Sequence, residues 1–181
     1  IPIRGNIIMK KKTLDQSAYG GVPGSKYIPY LGSHDGLGGS PLFMIFGAVL
    51  AVIFAASTAY SGMKAGLTVS AGIPGAILGS GLVAAFAKKK GILGVNLIQG
   101  MSSGGEAIAS GMIYVLPSIV LIGRKISFTY GFLVGVTAVA FAIGVSNIVF
   151  NYLIITQHGT LKYPESMAIG ETLVASEAGG E

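Results

Sequence analysis

Four long apolar runs follow one another along this chain and constrain its fold more than any other feature. They cover residues 41–63, 67–87, 93–123 and 126–156. At 1.5 Å per residue, a helix of about 20 residues crosses the roughly 30 Å hydrocarbon core of a bilayer. The runs therefore predict an all-α, polytopic transmembrane helical bundle with about four spans. The fourth run is long enough to tilt or to extend past the headgroups.

The composition argues against an ordinary soluble domain. Hydrophobic residues make up 51% of the chain and charged residues 10%, whereas a soluble domain usually has about 25% charged residues. Glycine occurs 29 times, within the apolar runs as well as in loops, which is typical of close helix packing or interrupted helices in membranes. Cysteine is absent and there are two histidines. We therefore expect a lipid bilayer as the solvent, with no cofactor and no metal site in this segment.

The basic residues indicate an orientation rather than a nucleic-acid partner. The net charge is +5, but the lysines and arginines lie at the ends of apolar runs and form no stripe interleaved with aromatic residues. With the amino terminus inside, nine basic residues lie on the inner side and three on the outer side, the three being Lys64, Arg124 and Lys125. This predicts a multi-pass protein of the cell (inner) membrane with a cytoplasmic amino terminus.

The segments that flank the apolar runs are polar. Residues 1–40 read as a mobile or loosely packed cytoplasmic leader, within which Met9 could be the true start. Pro164 predicts a short helix to about Glu177, too short and too polar to be an ordinary span. We interpret the chain as an amino-terminal fragment in which residues 41–181 form the first part of a membrane domain.

The most informative single residue is Glu106, near the middle of the third run. An ionisable side chain at that depth costs about 2.5–3.5 kcal/mol or more, so it normally faces an aqueous cavity, a partner or a substrate. A carboxylate in a low-dielectric site can exchange protons near physiological pH, as proton coupling requires. The preceding Ser102, Ser103, Gly104 and Gly105 are poor helix formers, and a break there would free backbone groups for a substrate. The alternative is a structural hydrogen bond from Glu106 and glycines that only permit tight packing.

Other polar positions in or near the apolar runs are weaker candidates for a transport pathway. Gln99 precedes the same stretch of the third run. Lys64 belongs to a plain outer loop or to a re-entrant break that faces a substrate carboxylate, and the sequence favours the loop. Pro74 is expected to kink the second span. Asn147 and Asn151 share one helix face, where they line a pathway or join two helices by hydrogen bonds.

Motifs of soluble enzymes and of ATP-driven pumps are missing. The chain has no P-loop Gly-Lys-Ser/Thr sequence, no His-Glu-x-x-His and no Gly-x-Ser-x-Gly. We therefore predict no catalytic residue and do not expect an enzyme.

Three stretches resemble a known family in their order and spacing. They are Ala59-Tyr60-Ser61-Gly62-Met63-Lys64-Ala65-Gly66-Leu67-Thr68-Val69-Ser70-Ala71-Gly72-Ile73-Pro74, then Asn96-Leu97-Ile98-Gln99 with Ser102-Ser103-Gly104-Gly105-Glu106-Ala107-Ile108-Ala109-Ser110-Gly111, then Leu161-Lys162-Tyr163-Pro164 with Ala168, Glu171 and Leu173. They resemble the oligopeptide transporter (OPT) family, closest to its prokaryotic branch and related to the yellow stripe-like transporters. The resemblance implies a dozen or more spans and a secondary transporter that carries small peptides or peptide-like metal chelates by proton symport.

With that family in view, the candidate residues take roles in alternating access driven by a proton gradient. Glu106 is the candidate for coupling, and residues 102–105 would offer backbone groups to the substrate. Lys64 and Glu171 are candidates for pairing with substrate termini. A passive channel or facilitator, a membrane-embedded enzyme and a purely structural protein stay open as alternatives, and so does a homo-oligomer.

Overall fold

The computed structural model describes residues 13–31, 40–86 and 91–178. Over these residues the fold is helical, which confirms the predicted all-α class. The helices are α1 (Pro41–Ala65), α2 (Gly72–Phe86), α3 (Ile92–Leu121), α4 (Phe128–Phe150, continued by a π-helical turn Asn151–Thr156) and α5 (Pro164–Ala178), preceded by short 3-10 turns at Gln16–Tyr19 and Gly24–Lys26. The predicted start at Met9 and the basic run at residues 88–90 lie outside the described residues.

Three of the helices are long and apolar enough to cross a membrane: α1, α3, and α4 with its π turn. The fourth apolar helix, α2, has 15 residues and is too short to cross a bilayer core of about 30 Å alone. The sequence predicted about four spans and a short helix after Pro164; the structure has three helices long enough to span, the shorter apolar α2, and α5 after Pro164. The second helix begins at Gly72 rather than at residue 67, and this difference shapes the candidate site.

Local signals explain where the helices begin and end. Pro41 occupies the first turn of α1, where its missing N–H is not needed. Gly66 ends α1 in a left-handed conformation, with φ of 72° and its N–H bonded to the Gly62 carbonyl at 2.9 Å. The Ser127 side chain caps α4 by accepting a hydrogen bond from the Tyr130 N–H at 3.2 Å.

The core forms where α1 and α2 pack on α3 and α5 packs on α2. Its buried side chains come from all four helices: Phe43, Leu50, Ala76, Val83, Val95, Ile98 and Leu173. By contrast, α4 touches α3 mainly where Gly131 and Gly135 approach Met112, and most of its apolar side chains are exposed. In a bilayer such a surface faces lipid or further helices.

Two sequence predictions about helix breaks are wrong. α3 is continuous through residues 102–105. A mid-helix glycine costs about 1 kcal/mol, whereas an unpaired peptide group in hydrocarbon costs several, so the helix persists. Pro74 does not kink a span, because it is the third residue of α2 and the first four N–H groups of a helix have no intrahelical acceptor.

The described part of the leader is packed rather than loose. Residues 13–31 lie against α5 and the link between α4 and α5. The Tyr19 and Tyr30 hydroxyls donate to Glu171 at 2.8 Å and to Glu177 at 3.0 Å, and His158 bonds the Ser17 carbonyl at 2.9 Å. The prediction of a mobile or loosely packed leader is therefore wrong for these residues.

Candidate functional site

The link between α1 and α2 runs back into the bundle instead of looping outside it. Near the end of α1, Gly62 packs on Ile113 of α3, whereas Gly75 in the first turn of α2 packs on Ser102. Ile113 and Ser102 are about 16 Å apart along the axis of α3. Residues 66–71, which we call the connecting segment, cover this distance without helical structure. Six residues reach at most about 20 Å, so the part of the connecting segment that follows the left-handed Gly66 must be nearly extended.

The depth of the connecting segment has a physical consequence in a bilayer. Non-helical backbone at membrane depth is tolerated only when protein buries it or when it lines a water-filled cavity. In the described residues Ala71 is buried, but Leu67 and Val69 are more than half exposed. The segment therefore requires cover from further protein or an aqueous cavity beside it. The sequence favoured a plain outer loop over a re-entrant break, and the break stays a prediction.

A polar stripe runs along one face of α3 beside this segment. Gln99 Nε2 donates to the Ser103 hydroxyl at 3.1 Å, and one turn later the Ser110 hydroxyl donates to Glu106 Oε1 at 2.6 Å. Residues three and four apart share a helix face, so these four side chains, which we call the α3 polar stripe, form one continuous surface. Glu106 is half-buried, which leaves part of its carboxylate accessible.

The α3 polar stripe continues the surface on which α2 begins. A Cβ atom at Gly75 would clash with the Ser102 hydroxyl and would be in ordinary van der Waals contact with the Gln99 backbone. Glu106 lies one turn beyond Ser102 on this side of α3, at the depth of the connecting segment.

The remaining residues of the predicted stretch divide between packing and exposure. Ser102 is fully buried, and its hydroxyl donates to the Gln99 carbonyl at 2.8 Å. Gly105 packs on the backbone of Ala51 in α1, whereas Gly104 has open space beside it. Because α3 is continuous, the backbone groups of these residues are used within the helix. The connecting segment is the place where backbone groups could face a substrate.

Four predicted residues lie away from the α3 polar stripe. Lys64, in the last turn of α1, is exposed and donates to the Tyr60 hydroxyl at 3.3 Å. Asn147 is exposed on α4, as is Asn151 at the start of the π turn. Glu171 on α5 accepts the bond from Tyr19 of the leader. No described contact joins any of them to Glu106, so a role for them in the pathway stays a prediction.

Two features of the site escaped the sequence analysis. Ser110 was not singled out, although its spacing of four from Glu106 is a usable signal. The second feature is a hydrogen bond between the Ser70 hydroxyl in the connecting segment and Glu165 at the start of α5. These residues are far apart in sequence, so no local pattern indicates the contact. The described residues contain no group of three or more His, Asp or Glu side chains placed to hold a metal ion.

The fold defines a multi-pass α-helical membrane protein with three candidate spans and a shorter apolar helix. Comparison with known proteins agrees. The family described as "OPT oligopeptide transporter protein" matches residues 41–181. The chain belongs to this family, which confirms the resemblance that the sequence indicated.

A curated relative supports the same assignment. A Haemophilus influenzae protein named "Putative oligopeptide transporter" is 30% identical to this chain over 116 residues, which cover 64% of the chain. The aligned part is 18% of that relative's length, so the chain spans a small part of it. No solved structure matches the chain.

Proposed function

We propose that the whole protein is a secondary active transporter that carries small peptides, or peptide-like metal chelates, into the cell together with protons. Residues 41–181 would form the first part of its transporter domain, and residues 1–40 a cytoplasmic leader. The observation that carries the proposal is the pairing of a half-buried carboxylate, Glu106, with a non-helical connecting segment at the same depth. Family membership supports the substrate class.

In this mechanism the α3 polar stripe carries the proton and contacts the substrate, and the connecting segment binds the substrate backbone. Glu106 takes up a proton on the outer side and releases it inside, and Ser110 holds its carboxylate in position. Gln99 and Ser103 offer an amide and a hydroxyl to the passing substrate. Free peptide groups of residues 67–71 replace the hydration of its polar backbone, because non-helical backbone beside a cavity can bind substrate groups directly.

Uptake into proteoliposomes tests this function in the full-length protein. Labelled dipeptides and peptide-like iron chelates are offered with an inside-alkaline pH gradient, and again after a protonophore has collapsed the gradient. We expect accumulation above the external concentration that disappears with the gradient. Uptake that only equilibrates, and is indifferent to the protonophore, would instead identify a passive channel.

A further inference from the structure

A second cavity lies apart from the α3 polar stripe, between the leader and the link from α4 to α5. Its volume is about 420 Å³, which is within the usual range for small-molecule sites. The lining comes from residues 14–27 on one side and residues 154–170 on the other. We call it the leader cavity, because without the leader this surface would be open.

Close backbone contacts fix the leader as a wall of this cavity. A side chain at Gly24 would collide with the Ile155 backbone, so only glycine permits the observed approach. The Ser17 carbonyl can only accept a hydrogen bond, so Nε2 of His158, 2.9 Å away, must carry a hydrogen. The His158 ring also meets the Tyr27 ring edge-on, with centroids 5.7 Å apart. These contacts give the cavity a defined shape.

The polar groups of the leader cavity include one cation, which faces solvent. The Tyr163 hydroxyl donates to the Leu153 carbonyl at 2.9 Å, and the Tyr19 hydroxyl donates to Glu171. Lys162 is the one lining residue with a permanent charge, and it makes no hydrogen bond or ion pair among the described residues. Lys162 is exposed, so an anionic ligand group at the mouth of the cavity can reach its ammonium group.

Apart from Ser166, the rest of the lining is apolar and includes Leu14, Ile154, Leu161 and Met167. A cavity that combines one cation with an apolar wall matches a carboxylate that carries an apolar side chain. A small peptide has this chemistry at its carboxyl end. At the rim, Glu171 beside Tyr19 offers a negative group for the amino end.

We propose that the leader cavity is a binding site for the carboxyl-terminal end of a small apolar peptide, with Lys162 as the partner of its carboxylate. The choice of a peptide as the ligand rests on the proposed function. The inference that the cavity binds a carboxylate with an apolar chain rests only on its lining residues. A fatty acid offers the same carboxylate and apolar chain, so the test compares the two. A bound peptide would contact both the leader and α5, and would therefore hold the leader in place.

Calorimetric titration of the full-length protein in nanodiscs tests the site, with alanyl-phenylalanine, its carboxyl-terminal amide and octanoate as probes. We expect the dipeptide to bind, and the amide to bind about tenfold more weakly because it lacks the charge. Lys162→Gln should weaken dipeptide binding by a similar factor. Lys26→Gln is the matched control, since Lys26 is exposed in the leader but is not part of the lining.

A second variant tests the wall. Gly24→Val should displace the leader from Ile155 and abolish dipeptide binding, while melting of the membrane helices stays unchanged. Equal binding of acid and amide, or wild-type affinity in Lys162→Gln, would overturn the proposal. Binding of octanoate without binding of the dipeptide would overturn the assignment to a peptide.

These results are independent of the proposed transport function. If gradient-driven uptake fails in the wild-type protein but Lys162-dependent binding is present, the transport proposal is wrong and the site stands. If uptake is driven by the gradient but no Lys162-dependent binding occurs, the site is wrong and the transport proposal stands.

Discussion

Adjacent glycines in α3 have opposite environments, although the sequence presents them as equivalent. A Cβ atom at Gly105 would lie 2.5 Å from the Ala51 carbonyl oxygen of α1, whereas one at Gly104 would meet nothing within 4 Å. Gly105 is therefore required for the approach of α1 to α3, just before Glu106. Gly104 only adds backbone freedom that folding must remove.

This contrast predicts stability changes of opposite sign. Gly105→Ala should destabilise the protein by about 1–3 kcal/mol, because the two helices must separate. Gly104→Ala should stabilise it by about 0.5–1 kcal/mol, because alanine favours the helix and meets no neighbour. Thermal unfolding in detergent measures both changes. Two equal shifts would show that α1 and α3 are not in contact at this depth.

Glu106 could be predicted as the main residue of the candidate site, because a carboxylate within an apolar run has a high energetic cost. Its surroundings were harder to predict. Local propensity indicated a break at residues 102–105, but the need to pair every peptide group in hydrocarbon overrode it. The non-helical stretch lies instead at residues 66–71, whose composition does not distinguish it from an ordinary loop. Its position along α3 follows only from the contacts of the flanking helix ends with α3.

Among the elements, the connecting segment should be accessible to water within the membrane. In a cysteine-free background, Ser70→Cys should react with a membrane-impermeant thiol reagent, because non-helical backbone at that depth borders a cavity. Val52→Cys is the matched control: Val52 is 70% exposed on the apolar surface of α1, where the bilayer or further helices exclude water. If both cysteines stay unlabelled, the connecting segment is buried in protein and lines no pathway.

The leader should leave α5 in alkaline solution. Burial, followed by the hydrogen bond to Glu177, raises the pKa of Tyr30 above its ordinary value of about 10. The hydrogen bond to Glu171 similarly raises the pKa of Tyr19. Because these pKa values are raised in the folded state, the phenols favour the docked leader at every pH below about 10 and lose that effect as the pH rises through the raised values.

Hydrogen exchange of residues 13–31 across this pH range checks the expectation, after correction for the intrinsic exchange rate. Tyr30→Phe should increase exchange already at neutral pH and show a smaller alkaline step. An unchanged alkaline step in Tyr30→Phe would rule out this phenol as the titrating group.

No local pattern predicts the docked leader, because Tyr19 and Glu171 are 152 residues apart.

For the whole molecule, the placement of basic residues predicts a cytoplasmic amino terminus and an outer link between α3 and α4. Reporter fusions in the full-length protein test this topology. A phosphatase that is active only outside the cell should be inactive when fused after Tyr30 and active after Lys125. The reverse pattern would invert the proposed direction of transport.

The most direct test of Glu106 as the coupling residue measures substrate exchange and proton-driven accumulation separately in the Glu106→Gln variant. If Glu106 carries the coupling proton, this variant should exchange labelled for unlabelled peptide across proteoliposomes at nearly the wild-type rate. It should lose all accumulation driven by a pH gradient. Gradient-driven accumulation equal to that of the wild type would show that the proton travels elsewhere and that Glu106 has only a structural role.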